Sequence, residues 1–137
     1  MQFTEPSDIE FLLKNAKLWA IVGLGADESR PAYSVARFLQ SHGKEIIAIH
    51  PRAIGVLNSP SYATLAEAAS HHSIDVVDCF VNASRVGEII DQAISLKLPA
   101  VWMQLDVIDE AAATRAKSAG LRVVMNRCPA IEWSTYV

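Results

Sequence analysis

The residues with chemistry to offer sit where apolar runs end. Leu18-Trp19-Ala20-Ile21-Val22 breaks at Gly23-Leu24-Gly25, crosses Ala26-Asp27-Glu28-Ser29-Arg30 and meets Pro31. An apolar run that stops at glycine, crosses a short loop and enters a helix is the layout of a strand–loop–helix phosphate site. Pro31 suits a first helical position, where its missing N–H costs nothing. That puts Ser29 or Arg30 at the cap. The unpaired N–H groups of such a helix end attract a phosphate. The glycine pattern is partial, because Glu28 stands where a dinucleotide fingerprint has its third glycine. An ordinary strand-to-helix turn is the alternative reading of the same stretch.

The next polar candidates close later apolar runs. His50-Pro51-Arg52 follows Glu45-Ile46-Ile47-Ala48-Ile49, and Val81-Asn82 follows Ile74 to Phe80. Gln104 ends Val101-Trp102-Met103, and Asn126-Arg127-Cys128 follows Leu121 to Met125. An NAD site usually carries an acid at the end of its second strand, to hold the ribose hydroxyls. Here that place holds His50, Pro51 and Arg52. An arginine there suits a phosphorylated ribose, which leaves NADP and coenzyme A open, beside the reading of Arg52 as a solvated loop charge.

Residues that could do covalent or acid–base chemistry are few. Asp75 and Asp78 lie three apart in one strand, so their side chains diverge, and both read as strand-end polar groups. Cys79 reads as core. Cys128 is the one candidate thiol, because Arg127 beside it would favour thiolate. It has no histidine and acid in evident register, and an inert thiol before Pro129 is the plainer reading. Of the four histidines, His42, His71 and His72 read as solvated surface. His50 either donates to a phosphate or merely ends its strand. No catalytic residue and no metal site is assigned.

The elements that must position these residues alternate. Ser7-Asp8-Ile9-Glu10 has a capping-box pattern and predicts a helix over 8–15. Strands are predicted over 18–23, 45–50, 74–81, 99–104 and 121–125, with a short edge strand at 61–63. Helices follow Pro31 up to Gly43, Thr64 up to Ser70, Ser84, and Asp109 up to Gly120, while 126–137 reads as a mixed, aromatic tail. Several strands are apolar without alternation, which means burial on both faces and a parallel sheet. Strand and helix alternate as in a doubly wound α/β fold. Ligands of such folds bind outside the carboxyl ends of the strands, where strand order reverses. That edge is where the candidates above collect.

Composition sets the outer limits. The chain has 137 residues, 51% hydrophobic and 20% charged, with a net charge of −3. One domain over 1–137 is expected. The charge argues against a nucleic-acid binder, which would show a basic face. Met1 to Ser7 lack the basic start and apolar core of a leader, and no apolar run approaches the ~18 residues of a membrane span. The two cysteines make no disulfide framework and lack metal-ligand spacing. Together these predict a cytoplasmic protein with reduced thiols, no nucleic-acid partner and no membrane partner, and leave a homo-oligomer open.

Read in order, Ile21-Val22-Gly23-Leu24, Arg30-Pro31-Ala32-Tyr33-Ser34-Val35-Ala36, Ile49-His50-Pro51, Asp75-Val76-Val77-Asp78, Val101-Trp102-Met103-Gln104-Leu105 and Val124-Met125-Asn126-Arg127-Cys128-Pro129 with Ile131-Glu132 resemble the stand-alone CoA-binding domain family. These proteins are similar to the CoA-binding domain of the succinyl-CoA synthetase α subunit. The resemblance implies a Rossmann-like, mainly parallel sheet of five to six strands with helices on both faces. It implies coenzyme A or an acyl-CoA as ligand of a non-catalytic binding or regulatory protein, with an NADP-dependent enzyme or nucleotide-sensing regulator as the alternative. It places Gly23, Leu24, Gly25, Ser29, Arg30 and Tyr33 in the first loop, His50, Pro51 and Arg52 in the second, Val81 and Asn82 in the third, and Gln104, Asn126, Arg127 and Cys128 on the far side. The chain departs from the pattern at Gly25 (often serine), His50 (often asparagine), Val81 (often arginine) and Asp106 (often glycine). One arginine fewer and one carboxylate more weaken the local positive potential.

Overall fold

The apolar runs form strands and the amphipathic ones helices. The computed structural model describes residues 4–137; Met1 to Phe3, the start of the segment read for a leader, lie outside the described residues. In chain order the elements are α1 (Pro6–Asn15), β1 (Leu18–Val22), α2 (Pro31–Ser41), β2 (Glu45–Ile49), β3 (Ser61–Tyr62), α3 (Leu65–His71), β4 (Val76–Cys79), α4 (Ala83–Ser95), β5 (Ala100–Met103), α5 (Glu110–Ser118), β6 (Arg122–Val124) and α6 (Pro129–Tyr136). The six strands pair in the order β3-β2-β1-β4-β5-β6, and every pair is parallel. This is a Rossmann-like α/β fold, with helices on both faces as predicted.

Each face has its own apolar layer. Leu65 and Ala68 of α3, Val86 and Ile90 of α4, and Ala112, Ala113 and Ala116 of α5 cover Ile47, Val77 and Val101. Ile9, Leu12 and Leu13 of α1 and Val35, Ala36 and Leu39 of α2 cover Trp19, Ile21 and Trp102, with α6 adding Trp133 and Tyr136 at the rim. Burying both faces of the central strands explains their unbroken apolar runs.

Two predicted caps are present. Thr64 accepts from the N–H of Glu67, and Asp109 from that of Ala112. Two are displaced. Pro6 takes the first turn of α1, so Glu5 rather than Ser7 is the cap, and Asp8 is left free to pair with Arg122 at 2.7 Å. The Asn82 carbonyl already accepts from Arg85 and Val86, so α4 begins before Ser84. The tail predicted as irregular forms α6, started by Pro129 and anchored by Trp133 edge-on to Phe38 at 5.6 Å. Of the three histidines read as surface, His42 and His71 are exposed and His72 is half-buried, and each has an aromatic partner. His42 stacks on Phe38, His71 stacks on Tyr62, and His72 Nε2 lies 2.9 Å from the Tyr62 hydroxyl.

Asp75 behaves as the expected strand-end group, its carboxylate accepting from the N–H groups of Lys17 and Leu18 at 2.9 Å. Asp78 does not. It sits mid-strand in β4, fully buried, in register with Ile21 and Trp102. Neither carboxyl oxygen has a hydrogen-bond partner among the described residues. The neighbouring indoles offer none, because Trp19 Nε1–H donates to the Ala16 carbonyl and Trp102 Nε1–H to the Arg127 carbonyl. Burial pushes the Asp78 carboxyl well above the usual carboxylate range. It pushes the Cys79 thiol up as well, with Asp78 adding to the effect, so Cys79 is core, as predicted.

An acid with a raised folded-state pKa holds a proton that the unfolded chain releases above about pH 4. Its contribution is most favourable below that pH, and stability falls as pH rises toward the folded value. Asp78→Val is expected to stabilise the fold near pH 8 by about 1–3 kcal/mol, the scale of an unsatisfied buried polar group. It should also shrink the loss of stability between about pH 5 and about pH 8. Urea unfolding of both proteins at the two pH values measures this; identical losses would contradict it.

Candidate functional site

Strand order reverses between β1 and β4, where successive connections leave in opposite directions. The loops after these two strands therefore part and open a crevice at the carboxyl edge. Gly23 sits at that point. Its N–H donates to the Ile49 carbonyl at 2.8 Å, its φ is +99°, and a Cβ there would run into the Phe80 carbonyl oxygen. Both the conformation and the close approach require glycine. Leu24 is fully buried in the α1–α2 layer, so only its backbone faces the loop.

The rest of the first loop is organised by a residue that sequence reasoning passed over. The Asp27 carboxylate accepts from the N–H of Ser29 at 3.0 Å and from its hydroxyl at 2.6 Å, and Arg30 Nε lies 3.8 Å away. The Ser29 hydroxyl first, then its N–H, with Arg30 assisting, hold the Asp27 carboxyl below the usual range. Ser29 and Arg30 are thus turned toward Asp27, and Arg30 is the α2 cap without a side-chain cap bond. The signal was an aspartate two residues before a serine, the pattern of an Asx turn. The N–H groups of Gly25 and Ala26 make no hydrogen bond among the described residues. Tyr33, in the first turn of α2, lines an open groove of about 400 Å³ with Glu28, Arg37 and Phe38.

The second loop leans on the first. The His50 N–H donates to the Tyr62 carbonyl and its own carbonyl accepts from Ala53, which fixes the turn through Pro51. Ring Nδ1 accepts from the N–H of Arg52 at 3.2 Å. A Cβ added to Gly25 would lie 3.1 Å from His50 Cδ2 and 3.2 Å from Nε2. Gly25 and His50 therefore touch across the two loops. The Arg52 side chain is exposed and makes no ion pair among the described residues. Val81 is half-buried just past the end of β4, and Asn82 is exposed and is the α4 cap without a side-chain cap bond.

The far side is knit separately. Gln104 is 5% exposed, and its Oε1 has no partner among the described residues. Asn126 and Asp106 both take left-handed backbone, with φ of +61° and +67°, and the Asp106 N–H donates to Asn126 Oδ1 at 2.8 Å. Short polar side chains tolerate that conformation. Arg127 donates its backbone N–H to the Met103 carbonyl, and its guanidinium pairs with Glu132 at 3.2 Å. The charge expected to activate Cys128 is thereby shared with a carboxylate, while Cys128 itself is buried in the α1–α2 layer. A second groove, of about 420 Å³, lies at the opposite edge of the sheet, between the ends of α3 and α4, and includes none of the predicted site residues.

The edge thus offers two contiguous loops with free N–H groups, a histidine and an unpaired arginine, followed by a loop pair carrying a buried amide. The first part suits an anion. Exposed Leu105 and Ile108, beside the amide of Gln104, suit a less polar segment.

The family described as CoA binding domain matches residues 17–134. The uncharacterized protein YneT of Bacillus subtilis strain 168 is 27% identical over 128 residues, 93% of each chain. A hypothetical protein from Pyrococcus horikoshii OT3 is 30% identical and superposes with a TM-score of 0.87 over 99% of both chains. The apo form of the dinucleotide forming acetyl-coenzyme A synthetase 1 of Ca. Korarchaeum cryptofilum is 22% identical, with a TM-score of 0.70 over 82% of this chain and 26% of its own; that likeness is one of fold alone. No described helix is long and apolar enough to cross a membrane.

Gly23→Ala should lower stability by about 1–3 kcal/mol, the scale of a strained backbone residue. Denaturant unfolding measures it. An unchanged midpoint would mean that the Phe80 carbonyl can yield without cost.

Proposed function

The chain belongs to the CoA binding domain family, and we propose that it binds coenzyme A or an acyl-CoA along the carboxyl edge of its sheet, as a binding or regulatory protein rather than an enzyme. The observation that carries this reading is the acid-free end of β2, where His50 and an unpaired Arg52 border the glycine crevice. An acid there would select an unphosphorylated ribose; an arginine suits the ribose phosphate of coenzyme A or the pyrophosphate.

In this reading the ligand's phosphates lie over Gly23, Gly25 and the start of α2, near Arg30 and Tyr33. Val81 and Asn82 flank the crevice. The pantetheine arm crosses toward Gln104, Asn126, Arg127 and Cys128, with Ile54, Leu105 and Ile108 as exposed apolar cover. The amide groups of that arm can pair with Gln104, whose buried Oε1 is an open acceptor. The reading goes with a cytoplasmic protein and a small-molecule partner.

Thermal unfolding with coenzyme A, NADP and NAD at equal concentration tests the choice of ligand. Coenzyme A at ~100 times its dissociation constant is expected to stabilise the fold by about 2.7 kcal/mol, and a larger shift with NADP would sink the proposal. Arg52→Ala is expected to weaken coenzyme A by about 1.5–3 kcal/mol, the scale of a charge-assisted hydrogen bond, and dephospho-CoA much less. Calorimetric titration distinguishes the outcomes: equal losses would assign Arg52 to the pyrophosphate, and no loss would return it to solvent.

A further inference from the structure

Resting on that ligand reading, we propose that His50 is a specificity-determining residue that reads the ligand's pyrophosphate through the hydrogen-bond donor at its outer ring nitrogen, Nε2. Gly25 is the position kept bare so that its ring can lie there.

The first support is the direction of one hydrogen bond. Arg52 N–H points at His50 Nδ1, and an N–H can only donate. Nδ1 must therefore carry the lone pair, and the ring's single hydrogen is on Nε2. A hydrogen on Nδ1 would set N–H against N–H, so the turn at residues 50–52 selects the tautomer with its hydrogen on Nε2.

The second support is where the remaining nitrogen lies. The Cδ2–Nε2 edge of the ring faces Gly25, the two atoms 3.1 and 3.2 Å from the place of a Cβ, with Cε1 farther at 3.8 Å. Nε2 has no partner among the described residues. It lies beside Gly25, whose N–H, like that of the next residue Ala26, makes no hydrogen bond among the described residues. In this proposal an oxyanion bound at the Gly25 amide takes the Nε2–H as a further donor. Arg52 brings positive charge to this corner, and His50 brings direction. The ring is also pinned through its own backbone, which bonds to Tyr62 and Ala53, so little ordering is left for the ligand to impose.

The third support is packing. With the ring in place, any side chain at Gly25 would crowd it at about 3.1–3.2 Å. Glycine at 25 and histidine at 50 are thus one unit, and a substitution at either changes the constraint on the other.

The two ring nitrogens can be tested apart. His50→Asn puts an amide oxygen near the place of Nδ1, keeps an acceptor for Arg52 N–H and removes the outer donor. His50→Gln puts an amide N–H near the place of Nε2. Calorimetric titration with coenzyme A and dephospho-CoA should show His50→Asn binding both ligands at least ~10-fold more weakly, the scale of a lost hydrogen bond to a charged group. His50→Gln should recover part of that loss, and all three proteins should melt within a few degrees of one another. Gly25→Ala should weaken coenzyme A strongly with His50 present and much less in the His50→Asn background. Nitrogen-15 spectra of the wild-type imidazole should report the Nε2–H tautomer in the free protein and a displaced Nε2 signal with coenzyme A bound; a purely structural ring would not respond. Wild-type affinity in His50→Asn, an Nδ1–H tautomer, or additive effects of the 25 and 50 substitutions would overturn the inference while leaving coenzyme A binding intact. If wild-type protein fails to bind coenzyme A at all, the ligand reading falls and this inference falls with it.

Discussion

A backbone carbonyl packed against a residue without a side chain sets the geometry of this molecule. Where β1 ends, Gly23 lies directly on the Phe80 carbonyl at the end of β4. The two strands are neighbours, and their connections leave in opposite directions. If the chain were thicker at residue 23, the strands would splay or the loops would rise away from the edge. Because it is thin, β1 can turn sharply toward α2, the Gly23 N–H can reach the Ile49 carbonyl, and the loops after β1 and β2 are drawn together. The contact between Gly25 and His50 follows from that convergence.

The two halves of the edge are built by different means. On the β1–β2 side the loops are held by backbone bonds and a glycine-to-ring contact, and they leave donors open. On the β5–β6 side the polar groups spend themselves on one another: Asn126 holds Asp106, Arg127 holds Glu132, and the Arg127 carbonyl holds the Trp102 indole. The first half is therefore suited to a charged, directional partner and the second to shape. Beneath both, Asp78 is an unpartnered acid inside an otherwise apolar layer.

Much of this was legible in the residues. Continuous runs such as Val76-Val77 and Val101-Trp102-Met103 carry burial on both faces, and the alternation with helices gave the parallel, doubly wound sheet. Thr64 and Asp109 announced their caps because a capping side chain acts within three residues. The misses involve competition or distance. Pro6 displaced the cap expected at Ser7, since a proline at the first turn costs nothing and extends the helix. Helix α6 was hidden because Pro129-Ala130-Ile131-Glu132-Trp133 is too short to show a period. Asp78 was misplaced because its environment depends on where the Trp19 and Trp102 indoles point, which is a tertiary matter. At the edge, the positions of His50 and Gly25 along the chain were plain, and their mutual contact was not, since they come from different loops. The bond from Ser29 to Asp27 was hidden because a serine shortly before Pro31 suits a helix cap equally well.

The Thr4 hydroxyl joins residues from opposite ends of the described chain. It donates to the Met125 carbonyl at 3.1 Å and accepts from the Met125 N–H at 2.8 Å, across 121 positions of sequence. Arg122 repeats the theme by pairing with Asp8 and lying over the Phe11 ring at 3.7 Å. During synthesis on a ribosome Thr4 must wait until 121 further positions have been made before Met125 can meet it. Until then one edge of the sheet and the underside of α1 remain uncovered. Contacts of such long separation are slow to close because the intervening loop entropy is lost before they form. The clasp between residues 4 and 125 thus closes only after every element from α1 to β6 has been made, and until then that flank of the fold is open.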